Sequence, residues 1–323
     1  MGSSRLMEML LLLLIGLVIA GSRLDAEALS TNYYAASCPF VEIIVRDTVN
    51  QALRRDPTLS GPLLRMHFHD CFVEGCDGSV LIDSTRGNKA EKDSPANLSL
   101  RGYEVIDQAK RAVEQRCPGV VSCADIVAMA ARDAVLWAGG PIYDIPKGRL
   151  DGRRSRIEDT INLPLPTLNS SALIKIFGQR GFTVQEMVAL SGGHTLGVAR
   201  CSSFKNRLSN FDSVNRVDPS LDQSFAKTLV KACAAGDSSE VSFDSTRTFF
   251  DNAYFRALPV GGGLLSSDQT LFSSPETRGL VDAYAMNQAR FFLDFSQAMV
   301  KMGLLNVKVG AGGEVRRDCR RVN

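Results

Sequence analysis

Three observations predict a mainly α-helical fold for this chain. Apolar residues recur at helical spacing through most of the length. Credible strands are confined to short pieces such as residues 143–145. With 323 residues the chain can bury a large core. Its eight cysteines supplement that core rather than replace it.

Residues 1–28 read as a secretory signal peptide. Arg5 supplies a basic start, residues 9–20 are apolar apart from Gly16, and small residues follow. The run is too short to span a bilayer comfortably, which disfavours a membrane anchor. Cleavage after Ala20, Ser22, Ala26 or Ala28 fits equally, leaving residues 29–323 as one domain. No later apolar run is long enough to span, and no retention signal or lipid tail follows Cys319, so the expected destination is extracellular.

Cys38, Cys71, Cys76, Cys117, Cys123, Cys201, Cys233 and Cys319 all lie beyond the leader. An even number in an exported chain predicts four disulfides. Spacing alone leaves about 105 pairings open, although Cys71 and Cys76 are close enough to bridge.

The elements follow in order. Residues 41–54 alternate apolar and charged positions at helical spacing. Residues 102–115 place Val105, Ile106, Ala109 and Val113 on one face. Residues 122–138 are Ala-rich, with Ser122 as N-cap and Asp125 three positions on. Gly139-Gly140-Pro141 ends that helix. Residues 162–166, NLPLP, form an extended linker, because the residue before each proline avoids the helix. Helices resume at 168–178, 183–191, 221–233 and 291–302.

The chain's chemistry concentrates in residues 63–82, LLRMHFHDCFVEGCDGSVLI. Arg65, Phe68 and His69 are spaced i, i+3, i+4 and share one face of an apolar helix. His67 points elsewhere. The helix should end near Cys71, where Gly75 and Gly78 begin a turn. Asp70, Asp77 and Ser79, with freed carbonyls near Val73 and Gly75, offer the oxygens a hard cation such as calcium takes. The loop is not an EF-hand, and Asp-rich turns are more often simply solvated. HxHxC, at residues 67–71, matches no common zinc pattern.

His194 ends a second stretch, ALSGGHT, after two glycines that allow backbone to approach a large flat ligand. Residues 244–251 offer oxygen donors again. Asp268, within SDQ, is placed to accept an imidazole N–H and make it a more basic ligand. A lone histidine is otherwise more often a satisfied core residue.

Together LLRMHFHDCFVEGCDGS, ALSGGHTLG, VSCADIVAMAARD and GLLSSDQTLF resemble the plant secretory (class III) haem peroxidases, over residues 38–323. The resemblance implies two helical halves around one haem b, with two calcium ions. It assigns Arg65, Phe68 and His69 to the distal side, and Glu91 and Asn97 to an acid–amide relay behind His69. It makes His194 the iron ligand with Asp268 as partner. It assigns Asp70, Val73, Gly75, Asp77 and Ser79 to one calcium. For the other it assigns Thr195, Asp244, Thr246, Phe249 (through its carbonyl) and Asp251. There the segment between the aspartates is one residue short, which leaves Thr248 as the competing assignment. Pro164 falls at the substrate edge, with Phe204 and Pro166 as further candidates. The implied bridges are Cys38–Cys117, Cys71–Cys76, Cys123–Cys319 and Cys201–Cys233. Tyr143 stands where the family often carries tryptophan, and Trp137 on the preceding helix is structural.

Of two N-glycosylation triplets, Asn97-Leu98-Ser99 and Asn169-Ser170-Ser171, only Asn169 remains available if Asn97 is the relay amide. Expected partners are hydrogen peroxide and small phenolic donors. The formal charge of +2 becomes +3 once residues 1–28, with two basic and three acidic side chains, are removed. Scattered basic residues exclude nucleic-acid binding and leave only weak contact with acidic cell-wall polysaccharide. No membrane association is expected, and the protein is read as a monomer. A secreted metal-binding module explains the histidines and cysteines but leaves Arg65, Asn97 and Asp268 idle. A haem-free relative has no use for intact Arg65, His69 and His194. A hydrolase lacks any GxSxG element.

Overall fold

A computed structural model describes residues 29–323; the leader read at residues 1–28 and its cleavage positions lie outside them. Among the described residues no helix is long and apolar enough to cross a membrane. The fold is mainly helical, as the periodicity predicts.

Helix α1, Val41–Arg55, buries Val41, Val45, Val49 and Leu53, one stripe at i, i+4 spacing. Helix α2, Ser60–Val73, runs two residues beyond Cys71 and buries most of its length. Helix α3, Tyr103–Glu114, buries Val105, Ile106, Ala109 and Val113. Helix α4, Cys123–Trp137, is buried from Cys123 to Val135, and α1, α2 and α3 all pack on it. An Ala-rich sequence suits that centre because small side chains let three helices approach one axis.

The N-terminus of α4 shows how a buried helix end is satisfied. Ser122 Oγ accepts from Asp125 N–H, and the Asp151 carboxylate accepts from Cys123 and Ala124 N–H. Asp125 does not complete a capping box. Its carboxylate accepts instead from Tyr34 O–H, Gly148 N–H and Arg149.

In the second half, α5 (Ser170–Gly178) is capped by Asn169, and α6 (Val184–Ser191) by a Thr183–Glu186 capping box. Helix α7 is Gln223–Ala232, α8 Ala253–Ala257, α9 Ser266–Ser273, α10 Pro275–Met286 and α11 Gln288–Met302. Helix α6 packs on α5, α10 and α11. One continuous apolar core runs through both halves, from Val45 and Leu53 to Phe291 and Phe295. A smaller one holds Ala199, Phe204, Leu221, Leu229 and Leu264.

The strand expected at residues 143–145 is absent. Tyr143 and Ile145 are buried and lie outside any strand. Strands occur instead at β1 (Val198–Arg200) and β2 (Glu240–Ser242), paired antiparallel with Val198 opposite Ser242 and Arg200 opposite Glu240. Three residues are too few to leave a periodic signal. This ribbon brings residue 244 beside residue 195, and Phe243 N–H and Gly197 C=O continue the pairing.

All four bridges implied by the resemblance form: Cys38–Cys117, Cys71–Cys76, Cys123–Cys319 and Cys201–Cys233. Among the described residues no cysteine is free. The thiolate that a zinc or copper reading of HxHxC needs is therefore missing at Cys71.

Candidate active site

Helix α2 carries Arg65, Phe68 and His69 on one face, as their spacing predicts. His69 is buried, and both ring nitrogens are engaged. Asn97 Nδ2 donates to the Glu91 backbone carbonyl at 2.8 Å, an acceptor-only partner, so Asn97 Oδ1 faces His69. His69 Nδ1 lies 2.5 Å from that oxygen and must carry the proton. Nε2 is left as the acceptor, and Arg65 Nε–H donates to it at 3.0 Å. Burial, then the neighbouring Arg65 charge, hold His69 well below the usual histidine pKa. It is neutral at physiological pH.

Arg65 is fixed at its other two nitrogens by Ser99 Oγ at 2.8 Å and the Ala96 carbonyl at 2.7 Å. Burial lowers its pKa to about 10, so it remains cationic. Phe68 meets the His69 ring edge-on at 5.6 Å and packs on Phe72 at 4.5 Å. His67 is buried on the opposite side against Cys71 Sγ, 3.6 Å away, with burial pushing its pKa down to about 3. The two histidines do not share a site.

Glu91 departs from the relay expected of it. Its backbone, not its carboxylate, meets Asn97. Both carboxylate oxygens are buried without a hydrogen-bond partner, and burial with the nearby Asp70 charge pushes the pKa up to about 9. The carboxyl belongs electrostatically to the loop after α2. There Asp70 and Asp77 are buried; burial and the Asp77 charge push Asp70 up to about 8. Ser79 Oγ is also buried and unpartnered. Gly75 has φ 112°, and a Cβ would sit 2.5 Å from the Asn306 carbonyl, so only glycine turns the chain here. Val73 closes α2, where a carbonyl leaves the helical ladder. Among the described residues no three His, Cys, Asp or Glu side chains form a metal cluster. The set here is two carboxylates, a hydroxyl and backbone oxygens, which suits a hard cation.

On the other side, His194 sits in the turn Gly192–Thr195, which α2 touches. The Gly192 reading changes. A Cβ there would lie 2.4 Å from Phe291 and 2.6 Å from Phe255, so this glycine serves core packing rather than ligand approach. The His194 side chain is 37% exposed and its Nδ1 lies 2.7 Å from Asp268 Oδ1, a buried carboxylate. That fixes the proton on Nδ1 and leaves Nε2 as the free donor atom. Two neighbours carried no sequence signal. Phe243 stacks on the ring at 4.2 Å with planes 6° apart, and Tyr254 stands edge-on at 6.0 Å.

Beside His194, Thr195 Oγ lies 2.7 Å from Asp244 Oδ2 and 3.2 Å from Asp251 Oδ1. Thr246 Oγ lies 3.1 Å from both carboxylates, whereas Thr248 takes no part in this cluster. The Phe249 N–H donates to the Thr246 carbonyl, and its ring is exposed. Burial raises the Asp244 pKa, and the Asp251 charge adds to it.

Pro164 is half-buried in the linker between the turn Ile157–Asn162 and α5, and Pro166 is half-buried with its carbonyl bound by Ser267 N–H. Phe204 is fully buried in the small core and shapes no edge. Asn169 is exposed; its Oδ1 caps α5 and its Nδ2 is left for a glycan.

A peroxidase family model matches residues 45–287. Peroxidase 47 of Arabidopsis thaliana is 66% identical over 94% of this chain and 92% of its own length. Peroxidase 64 of Arabidopsis thaliana is 50% identical over 96% and 98%. Peroxidase 5 of Vitis vinifera is 48% identical over 93% of each.

Proposed function

This chain belongs to the plant class III haem peroxidase family, reducing hydrogen peroxide at the expense of an electron donor, and on that premise we propose the residues that do so. His194 holds the haem iron through Nε2, with Asp268 behind it. The donor set fits: an imidazole tied by Nδ1 to a buried carboxylate, with Nε2 free, is the usual arrangement of a metal-ligating histidine. When bound, haem supplies the redox chemistry, accepting two oxidising equivalents from peroxide and releasing them singly.

His69 moves the proton. Its Nε2 takes the proton from the peroxide oxygen that stays and returns it to the oxygen that leaves, so the O–O bond breaks to release water. Asn97 keeps the proton on Nδ1, so Nε2 stays an unprotonated acceptor, held by Arg65 Nε–H until peroxide takes that place. Arg65 stabilises charge on the departing oxygen. Phe68 narrows the space beside His69, so bulky donors deliver electrons from an edge, where Pro164 lies. The single observation that carries this reading is the pair of histidines held alike. Each has Nδ1 committed to a fixed acceptor, and each keeps Nε2 as a base or ligand.

Calcium occupies two sites: Asp70, Val73, Gly75, Asp77 and Ser79; and Thr195, Asp244, Thr246, Phe249 and Asp251. The orphaned Ser79 hydroxyl, and the Asp70 carboxyl raised by burial and by the Asp77 charge, support the first; the convergence of Thr195 and Thr246 on both aspartates supports the second. The donors are small phenols, the site of action is outside the cell, and Asn169 carries a glycan. An absorption spectrum before and after one equivalent of hydrogen peroxide tests the core of this. The Soret band should change on peroxide and recover with guaiacol. No Soret band after refolding with haemin and calcium would refute it.

A further inference from the structure

Asp268 does more than meet His194. It is 1% exposed, at the start of α9, and its two oxygens accept three hydrogen bonds. Oδ2 accepts from Leu265 N–H at 2.9 Å. Oδ1 accepts from His194 Nδ1–H at 2.7 Å and also from Tyr254 O–H at 3.0 Å. Tyr254 is 2% exposed, on α8, with its ring edge-on to His194. The helix is pinned on both sides of its start. Asp251 Oδ1 accepts from Ala253 N–H at 2.7 Å, and Asn252 Nδ2 donates to the Tyr284 and Ala285 carbonyls at 2.9 Å. The hydroxyl is therefore delivered to one atom by rigid backbone, not found there by a mobile side chain.

We propose that Tyr254 is a positioning residue that moderates the basicity of His194 by sharing the Asp268 oxygen that binds its Nδ1 proton. This rests on the reading of His194 as the iron ligand. Two donors on one carboxylate oxygen compete for its charge. The more Tyr254 takes, the less the Nδ1 proton is drawn toward Asp268. The imidazole then keeps more neutral character and gives less electron density to iron. A less donating axial imidazole stabilises the ferric state less, which raises the reduction potential.

The test uses two replacements of opposite sign in the intact holoenzyme. Tyr254→Phe keeps the ring and removes the hydroxyl, and no buried group loses its last partner, because Asp268 Oδ1 retains His194. Replacing Tyr254 alone by 3-fluorotyrosine keeps the hydroxyl and makes it a stronger donor. Spectroelectrochemical titration should read a more negative Fe(III)/Fe(II) potential for Tyr254→Phe and a more positive one for fluorotyrosine. Unchanged potentials, or shifts of one sign in both, would overturn the inference, since a merely structural tyrosine does not produce opposite signs. If Tyr254→Phe does not fold, the fluorotyrosine shift alone decides. Failure of a different kind is separable: a wild-type protein that binds haem with His194→Ala spectroscopically silent overturns the ligand assignment itself, and this inference with it.

Discussion

Replacing Asn97 by valine tests how much of the distal chemistry depends on one amide. The substitution removes the acceptor for His69 Nδ1–H and the donor to the Glu91 carbonyl, both buried. Each orphaned group costs about 1–3 kcal/mol, so stability should fall by about 2–6 kcal/mol. The rate effect is separate. With Asn97 present, the Nδ1–H tautomer satisfies both ring nitrogens; without it, that tautomer leaves Nδ1–H unpaired and the other leaves both nitrogens unpaired, because Arg65 still donates at Nε2. Losing one orienting hydrogen bond, about 1–1.5 kcal/mol net, slows the peroxide reaction roughly tenfold. Asn97→Asp separates orientation from charge. It keeps the acceptor and adds a negative neighbour, which raises the His69 pKa. The base works when neutral, so the wild-type rate should hold until the pH is well below 6.5, whereas the aspartate variant should lose rate at higher pH. Stopped-flow measurement of peroxide reaction across the pH range reads both effects. A valine variant as fast as wild type, with an aspartate profile unshifted, would refute the role given to Asn97.

His69→Ala should slow the same step by at least ~10²-fold, the low end for general acid–base catalysis, read by stopped flow. Removing calcium should make stability fall as pH rises. The folded, cation-free carboxyls of Asp70 and Glu91 hold their protons to about pH 8 and 9, while unfolded carboxyls ionise near pH 4. Across that window the unfolded chain is favoured increasingly, and bound calcium should abolish the trend. Melting temperatures at pH 5 and pH 8, with chelator and with calcium, check it; identical profiles would count against the site. Arg207→Met should cost about 3–5 kcal/mol in denaturant unfolding, because the buried Asp218 loses its partner and the carbonyls of Gly263, Leu264 and Leu265 lose a shared donor.

Local patterns were legible where one element carried them. The spacing of Arg65, Phe68 and His69 placed three side chains on one face, and Ser122 read as a cap. Helices α9 and α10 escaped notice because Ser273, Ser274 and Pro275 interrupt short polar segments. The ribbon β1–β2 is too brief for any period. Spacing suggested Cys71–Cys76, five residues apart, but the other pairings came through resemblance alone, since those bridges close separations of up to 196 residues. Tyr254 and Phe243 reach the site only through tertiary packing, and neither sequence position announces it. Glu91 is the sharpest lesson. Its position beside Asn97 was readable, but which of its carbonyl groups would meet the amide depended on where three buried carboxyls settled.

The triplet Asn97-Leu98-Ser99 reads as a glycan acceptor, yet its asparagine holds His69 and its serine holds Arg65. An oligosaccharide transferase inspects an unfolded chain and has no knowledge of the interior that chain is about to build. In a glycosylating compartment the protein therefore runs a race at this triplet. Molecules that fold first hide the amide for good, and molecules modified first carry a sugar where the interior has no room for one. Production in such a host should yield a correctly assembled pool free of sugar at position 97, and a discarded pool that bears it. A bacterial host, which never starts the race, should show no such division.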